Sequence, residues 1–407
     1  MGAILRFLKA EPRELPALAW SFAYFFLLLA SYYLLRPVRD ALAIETGTER
    51  LRWLLTATFV AMLALVPLFG WLSGRFPRKT FLPVVYGFFA LNLVVFAFYV
   101  NSSIFFVWLS VFNLFAVSVF WSFMADVFDT PQAARLYGVI AAGGSCGAIA
   151  GPVMANLLST RVPFQVLLLI AAALLVLMIL CIRRLARWAD AHPRAGEPQP
   201  ERPLGGSILA GARAALTSPF LLAICGYLFC YTALSTALYF QQVEILREAI
   251  PDRGERLRFL STVDLAVNSL TLIIQVLAFS RLASALGPLW MLAAMPIVSV
   301  AGFLWLGAAP TLGALVVFGV TRRAGEFAVS KPAREALFTA VPREARYKAK
   351  NFIDTVVYRG GDALSGWMFS GPAAFLAAGV AAVWTALAVF LGTRMKTWNA
   401  GQSLVRG

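Results

Sequence analysis

Apolar runs of about twenty residues follow one another along most of the chain, separated by short polar breaks rich in Arg, Gly and Pro. At 1.5 Å of rise per residue, a run of about twenty crosses roughly 30 Å of hydrocarbon. Each run therefore predicts a membrane-crossing helix. Twelve are placed at about 15–36, 52–73, 81–100, 104–124, 138–158, 162–182, 219–240, 259–279, 287–308, 311–330, 351–371 and 372–391. The pattern predicts an all-α membrane protein. One long polar stretch, Arg183 to Arg213, contains Arg184, Arg187, His192, Gly196, Pro198 and Pro200 and reads as a linker. It divides the chain into an N-terminal six-helix bundle at 1–182, a cytoplasmic linker at 183–213 and a C-terminal six-helix bundle at 214–407. Such 6+6 arrangements place a substrate site between bundles near the bilayer midplane.

Composition strengthens this picture. Hydrophobic residues are 60% of the 407 positions and charged residues 14%, with a mean hydropathy of +0.77, too apolar for a water-facing surface. The first run is too long and too aromatic for a signal-peptide core, and no small-residue cleavage pattern follows it, so a retained first span is expected. The net charge of +15 raises nucleic acid as a partner. The cations lie between spans, without an aromatic-interleaved patch, and the lipid bilayer is the expected partner instead. With a cytoplasmic N-terminus, roughly 25 of the 35 Lys and Arg fall on the cytoplasmic side, which predicts both termini inside. Cys146, Cys181, Cys225 and Cys230 all fall in apolar segments and His192 in a polar one, so neither a metal site nor a cofactor is expected. Nothing in the pattern calls for enzymatic chemistry.

Ionisable groups inside hydrocarbon are costly, so those found there are functional candidates. Arg359 enters the eleventh run by about eight residues, or roughly 12 Å of helix, flanked by Asp354 and Asp362. A guanidinium at that depth can bind phosphate or carboxylate bidentately; a stabilising salt bridge to Asp354 or Asp362 is the alternative. The first run ends in Tyr32, Arg36, Pro37, Arg39 and Asp40, which puts Tyr32, Arg36 and Arg39 on one helical face if Pro37 leaves the helix intact. Snorkelling to the membrane boundary is the alternative for these arginines. In the eighth run Ser261, Asp264, Asn268, Thr271 and Gln275 recur at steps of three and four, a polar stripe that should face a cavity or a neighbouring helix. Asp264 is the coupling or counter-ion candidate. Arg322, Arg323 and Glu326 end the tenth run, and Glu326, four residues after Arg322 and three after Arg323, predicts local ion pairing at the cytoplasmic rim.

Gly143, Gly144, Gly147 and Gly151 resemble a phosphate loop only superficially, since no lysine and no strand accompany them; small residues at this spacing predict close helix packing. Gly70-Trp-Leu-Ser-Gly74-Arg75-Phe-Pro-Arg78-Lys79 joins a glycine-rich helix end to a basic turn and resembles the loop signature of the major facilitator superfamily.

A closer resemblance lies at Leu35-Arg36-Pro-Val-Arg39-Asp40, at Phe120-Trp-Ser-Phe-Met-Ala, and at Pro332-Ala-Arg-Glu335-Ala-Leu-Phe through Tyr347-Lys-Ala-Lys350-Asn-Phe-Ile-Asp354. These segments resemble the ATP/ADP translocase family, the nucleotide exchangers of plastids and intracellular bacteria. The resemblance implies a major-facilitator-like fold of about twelve helices in a bacterial inner membrane, exchanging ATP for ADP or importing nucleotides with protons. It also implies binding cations at Arg39 and Arg359, both lysine in the transporters. The family's two embedded glutamates have no acid here, the matching stretches being Val107–Asn113 and Leu234–Tyr239.

The expectation is a secondary transporter of an anionic solute, a nucleotide first, with Arg36, Arg39 and Arg359 binding it and Asp264, Asn268, Asp354 and Asp362 forming a polar cavity or coupling set. The alternatives are a proton-coupled facilitator of another small molecule, with Asp264 or Asp126 as proton site, and a membrane-embedded sensor or partner subunit without transport.

Overall fold

A computed structural model describes residues 11–76, 78–192, 213, 216–338, 341, 349–350, 352–369 and 373–405. Most of the predicted linker, residues 193–212, lies outside these, as do Tyr347, Lys348 and Asn351.

The described residues are almost all helical, without strands. The helices are α1 Leu15–Arg75, α2 Arg78–Phe98, α3 Ser102–Val127, α4 Thr130–Leu158, α5 Phe164–Ala191, α6 Pro219–Ala249 and α7 Arg253–Ile273. They continue with α8 Phe279–Ala308, α9 Leu312–Gly325, α10 Lys331–Leu337, α11 Tyr358–Met368 and α12 Ala374–Val405. Within α1 the backbone breaks at Gly47, where φ is 78°, a left-handed conformation that glycine adopts without Cβ strain. The segment thus holds two crossings, and Pro37 lies inside the first without ending it.

Nine helical segments among the described residues are long and apolar enough to cross a membrane, with Pro12–Leu65 counted once. The predicted tenth crossing escapes that count because it carries Arg322, Arg323 and Glu326, and the eleventh lies partly outside the described residues; each contains a π-helical turn, at Glu326–Ser330 and Ile353–Val357. A third π-helical turn, Ile274–Ala278, joins α7 to α8. The twelve-crossing, all-α architecture expected from the hydrophobic pattern is the one observed.

Two compact units emerge. The first comprises Met1–Ala43, Ala64–Glu201 and Asp252–Leu265, the second Ile44–Leu63, Arg202–Pro251 and Ala266–Gly407. In the first, Tyr24 donates to Tyr86 at 3.0 Å and Tyr86 to the Ala116 carbonyl at 3.2 Å, tying α1 to α2 and α3 and giving each tyrosine hydroxyl an acceptor. Phe25 stacks on Phe120 with ring centroids 4.2 Å apart. The glycines of α4 press directly on α1. A Cβ at Gly143 would stand 2.6 Å from the Phe22 carbonyl oxygen, one at Gly151 2.7 Å from that of Ala30, and one at Gly147 would collide with that of Phe26. The small-residue stripe is therefore a backbone-on-backbone contact. In the second unit α8 packs on α12, and α6 on α11 and α12. Trp384 is fully buried there against Tyr227, whose hydroxyl donates to the Leu292 carbonyl at 3.2 Å.

Candidate functional site

In the first unit the α1 helix runs through Pro37, so Arg36 and Arg39 stand on a continuous helix rather than at a frayed end. Arg36 Nη1 lies 3.7 Å from Asp264 of α7, and its guanidinium is 6.0 Å from the Tyr33 ring centroid. Arg39 binds the neighbouring Asp40 through Nε and Nη2, at 2.9 and 2.7 Å, and stands 5.0 Å from the Phe106 ring centroid. Asp40 and Asp264 are both buried. Each predicted cation of this unit thus faces a carboxylate and an aromatic ring.

The polar stripe on α7 is used piecemeal. Ser261 donates to the Leu257 carbonyl of its own helix. Asp264 takes Arg36, Asn268 is half-buried, and Thr271 Oγ1 is sealed without a partner among the described residues. Gln275, in the π-helical turn Ile274–Ala278, donates to the Phe327 carbonyl in the turn Glu326–Ser330 at 3.3 Å. A π-turn disturbs the regular helical ladder, and a side-chain amide from the facing turn is one way to satisfy a carbonyl there.

In the second unit Arg359 Nη1 is 3.5 Å from Asp362, three residues on, and its guanidinium is 5.1 Å from the Tyr358 ring. Asp354 is exposed. The salt bridge anticipated for Arg359 therefore forms with Asp362.

The rim expectation for Arg322 and Glu326 is overturned. Arg322 is 3% exposed and Glu326 2% exposed, both inside the unit. Glu326 pairs with Arg334, eight residues on, at 3.2 Å between Oε1 and Nη1. In an unbroken α-helix, positions eight apart are rotated by roughly 80° and face different ways. The π-helical turn at Glu326–Ser330 adds one residue to the coil, which brings that offset down to roughly 20° and puts both side chains on one face. Sequence spacing alone does not show where a π-helical turn falls, so this register change was not legible. The available signal was the recurrence of charge, Arg322, Arg323, Glu326 and Arg334, in a stretch otherwise mostly small and apolar.

Arg322 itself is held by neutral acceptors. Its Nε donates to Ser299 Oγ at 3.2 Å, and its Nη2 to the Tyr231 carbonyl at 3.2 Å and to Ser235 Oγ at 3.1 Å. These bonds join α9 to α8 and α6. Its guanidinium lies 5.4 Å from the Tyr231 ring and 5.9 Å from Trp384, and Arg334 approaches the same tyrosine at 5.8 Å. No ion pair reaches Arg322 among the described residues, whereas Arg36, Arg39, Arg334 and Arg359 each have a carboxylate. The cluster of Arg322, Arg334 and Glu326 therefore carries two cations against one anion. A buried excess charge of this kind is expensive unless a counter-charge reaches it.

Elsewhere, a cavity of about 130 Å³ is lined by Gln241, Glu244, Leu306 and Phe375 among others and shares no residue with the charged cluster. All four cysteines are free, and the His192 ring stacks on Trp188 at 4.6 Å. No group of three or more His, Cys, Asp or Glu that would suit a metal occurs among the described residues.

Residues 20–361 match the family model described as Major Facilitator Superfamily. No curated protein matches the chain significantly. Among solved structures, the chain is similar to the POT family transporter PepTSo, with a TM-score of 0.67 and 15% identity, covering 96% of this chain and 99% of that one. It is similar to a bacterial homologue of the human lysosomal transporter Spinster, in an inward-facing and unoccupied conformation, with a TM-score of 0.58 and 14% identity over 94% and 95% of the two chains. It is also similar to the human organic anion transporter MFSD10 (TETRAN), with a TM-score of 0.58 and 16% identity over 93% and 100%. At these identities the likeness is one of fold.

Proposed function

Because this chain belongs to the major facilitator superfamily and is a secondary transporter, we propose that its cargo is an anionic solute held by guanidinium groups and moved by alternating access. The observation that carries this reading is Arg322, a buried cation bonded to neutral acceptors and without a carboxylate of its own among the described residues. An anionic ligand supplies the missing counter-charge, and guanidinium matches carboxylate and phosphate oxygens in a fork. Arg36, Arg39 and Arg359 are further binding cations in this reading, each held in readiness by Asp264, Asp40 or Asp362. Asn268 and Asp354 complete the polar set. The pairing of Asp264 with Arg36 suits a coupling role, since any ligand drawn to the arginine competes with that carboxylate.

A phosphate-bearing solute, nucleotides first, is the cargo to test before others, supported by the sequence resemblance at residues 35–40 and 332–354. The family model that matches is that of the superfamily as a whole. The basic bias of alternate loops supports a cytoplasmic-membrane location with both termini inside.

The test is uptake by proteoliposomes offered labelled ATP, ADP, small carboxylates, a neutral sugar and an organic cation. Saturable uptake confined to one or more anions supports the proposal. Uptake of the sugar or the cation with no anion transported refutes it.

A further inference from the structure

Glu326 offers only one of its two carboxylate oxygens to a partner. Oε1 meets Arg334, while Oε2 is buried without a hydrogen bond among the described residues. The side chain is 2% exposed. The pair is thus half-made: a fork-shaped guanidinium is met by one oxygen where two are optimal. Around it stand a second guanidinium, Arg322, and the shared face of Tyr231.

We infer that Glu326 is a resident stand-in for the cargo's anionic group, and that Arg322, Arg334, Ser235 and Tyr231 form an oxyanion-binding site which Glu326 partly occupies when no ligand is bound. The inference rests on the anion reading above and deepens it. The ligand class is a group with two or three oxygens sharing a negative charge, a phosphate or a carboxylate. Such a group makes the bidentate contact with Arg334 that Glu326 leaves unmade and provides Arg322 with the counter-charge its neutral partners do not. Binding then displaces Glu326 Oε1 from Arg334. The carboxylate sets the affinity by competing for the site, and it keeps two like charges from facing each other alone when the site is empty.

The competition makes a signed prediction. Removing the charge of Glu326 removes the competitor, so Glu326→Gln should bind the probe anion more tightly, although it takes away a native ion pair. With purified protein and inorganic phosphate and ATP as probes, binding measured by calorimetry and by thermal shift should tighten about 5- to 10-fold in Glu326→Gln. The added anion should also raise its unfolding midpoint more than it raises that of the unaltered protein, because ligand binding to the folded state is itself stabilising. Glu326→Asp, whose shorter carboxylate reaches Arg334 less well, should fall between the two and serves if the glutamine variant does not fold. Adding Arg334→Gln to Glu326→Gln should abolish the tightening. Equal or weaker anion binding in both Glu326 variants overturns the inference while leaving the anion reading in place. No binding of any anion to the unaltered protein or to any variant removes both.

Discussion

Breaking the Glu326–Arg334 pair should expose how the second unit carries charge. At an effective dielectric of about 20, opposite unit charges 3.2 Å apart attract by about 5 kcal/mol. Desolvation of two side chains that are 8% and 3% exposed offsets most of that gain. The pair is therefore worth little against a neutral substitute, yet losing one partner strands the other. Arg334→Gln should destabilise the folded protein by about 3–5 kcal/mol. The double variant Arg334→Gln with Glu326→Gln should regain most of that loss, since two amides can bond to each other without a buried charge. Lys79 and Asp190 give the control: they too lie 3.0 Å apart, but are 52% and 62% exposed. Lys79→Gln should cost less than about 1 kcal/mol. Unfolding midpoints of detergent-solubilised protein, combined in a double-mutant cycle, read the coupling directly. A double variant as unstable as the sum of its two parents would refute the buried pair.

Three further outcomes follow from local geometry. Gly147→Leu drives a side chain into the Phe26 backbone of the neighbouring helix and should abolish or severely reduce the folded yield, measured by size-exclusion chromatography, while the same change at Gly379, where a Cβ meets nothing, should be tolerated. Tyr86→Phe removes the hydroxyl that accepts from Tyr24 and donates to Ala116, leaving two buried partners unsatisfied, and should lower stability by about 1–3 kcal/mol in the same unfolding assay. Pro37→Ala should change the melting midpoint little, because the helix already runs through that position, and should leave the helical circular dichroism signal intact.

The fold was legible because lipid imposes a length rule that any hydrophobic plot can read, and because the break at Gly47 falls between two long apolar runs. The glycine contact was legible too, since small residues at steps near four have few other uses on a membrane helix. Pairing of Arg359 could be narrowed to Asp354 or Asp362. Asp362 was one of those named, whereas the approach of Asp264 to Arg36 joins residues 228 positions apart and needed the coordinates. The Glu326–Arg334 pair was hidden for a different reason. Its register depends on a π-helical turn, and helical periodicity counted in steps of 3.6 assigns the two residues to different faces. The burial of Arg322 was hidden by its position at the end of an apolar run, where an arginine is ordinarily read as a rim cation.

The central claim is that a guanidinium with no carboxylate partner among the described residues holds the anionic cargo. It is tested most directly by anion uptake into proteoliposomes carrying Arg322→Gln and Arg322→Lys beside the unaltered protein, each at equal folded protein per vesicle. The account predicts that the glutamine variant loses at least about 1.5–3 kcal/mol of anion binding, a fall in apparent affinity of about 10-fold or more, as expected for a charge-assisted hydrogen bond. The lysine variant, which keeps the charge without the fork, should retain part of it. Anion uptake of unchanged affinity in Arg322→Gln would contradict the account.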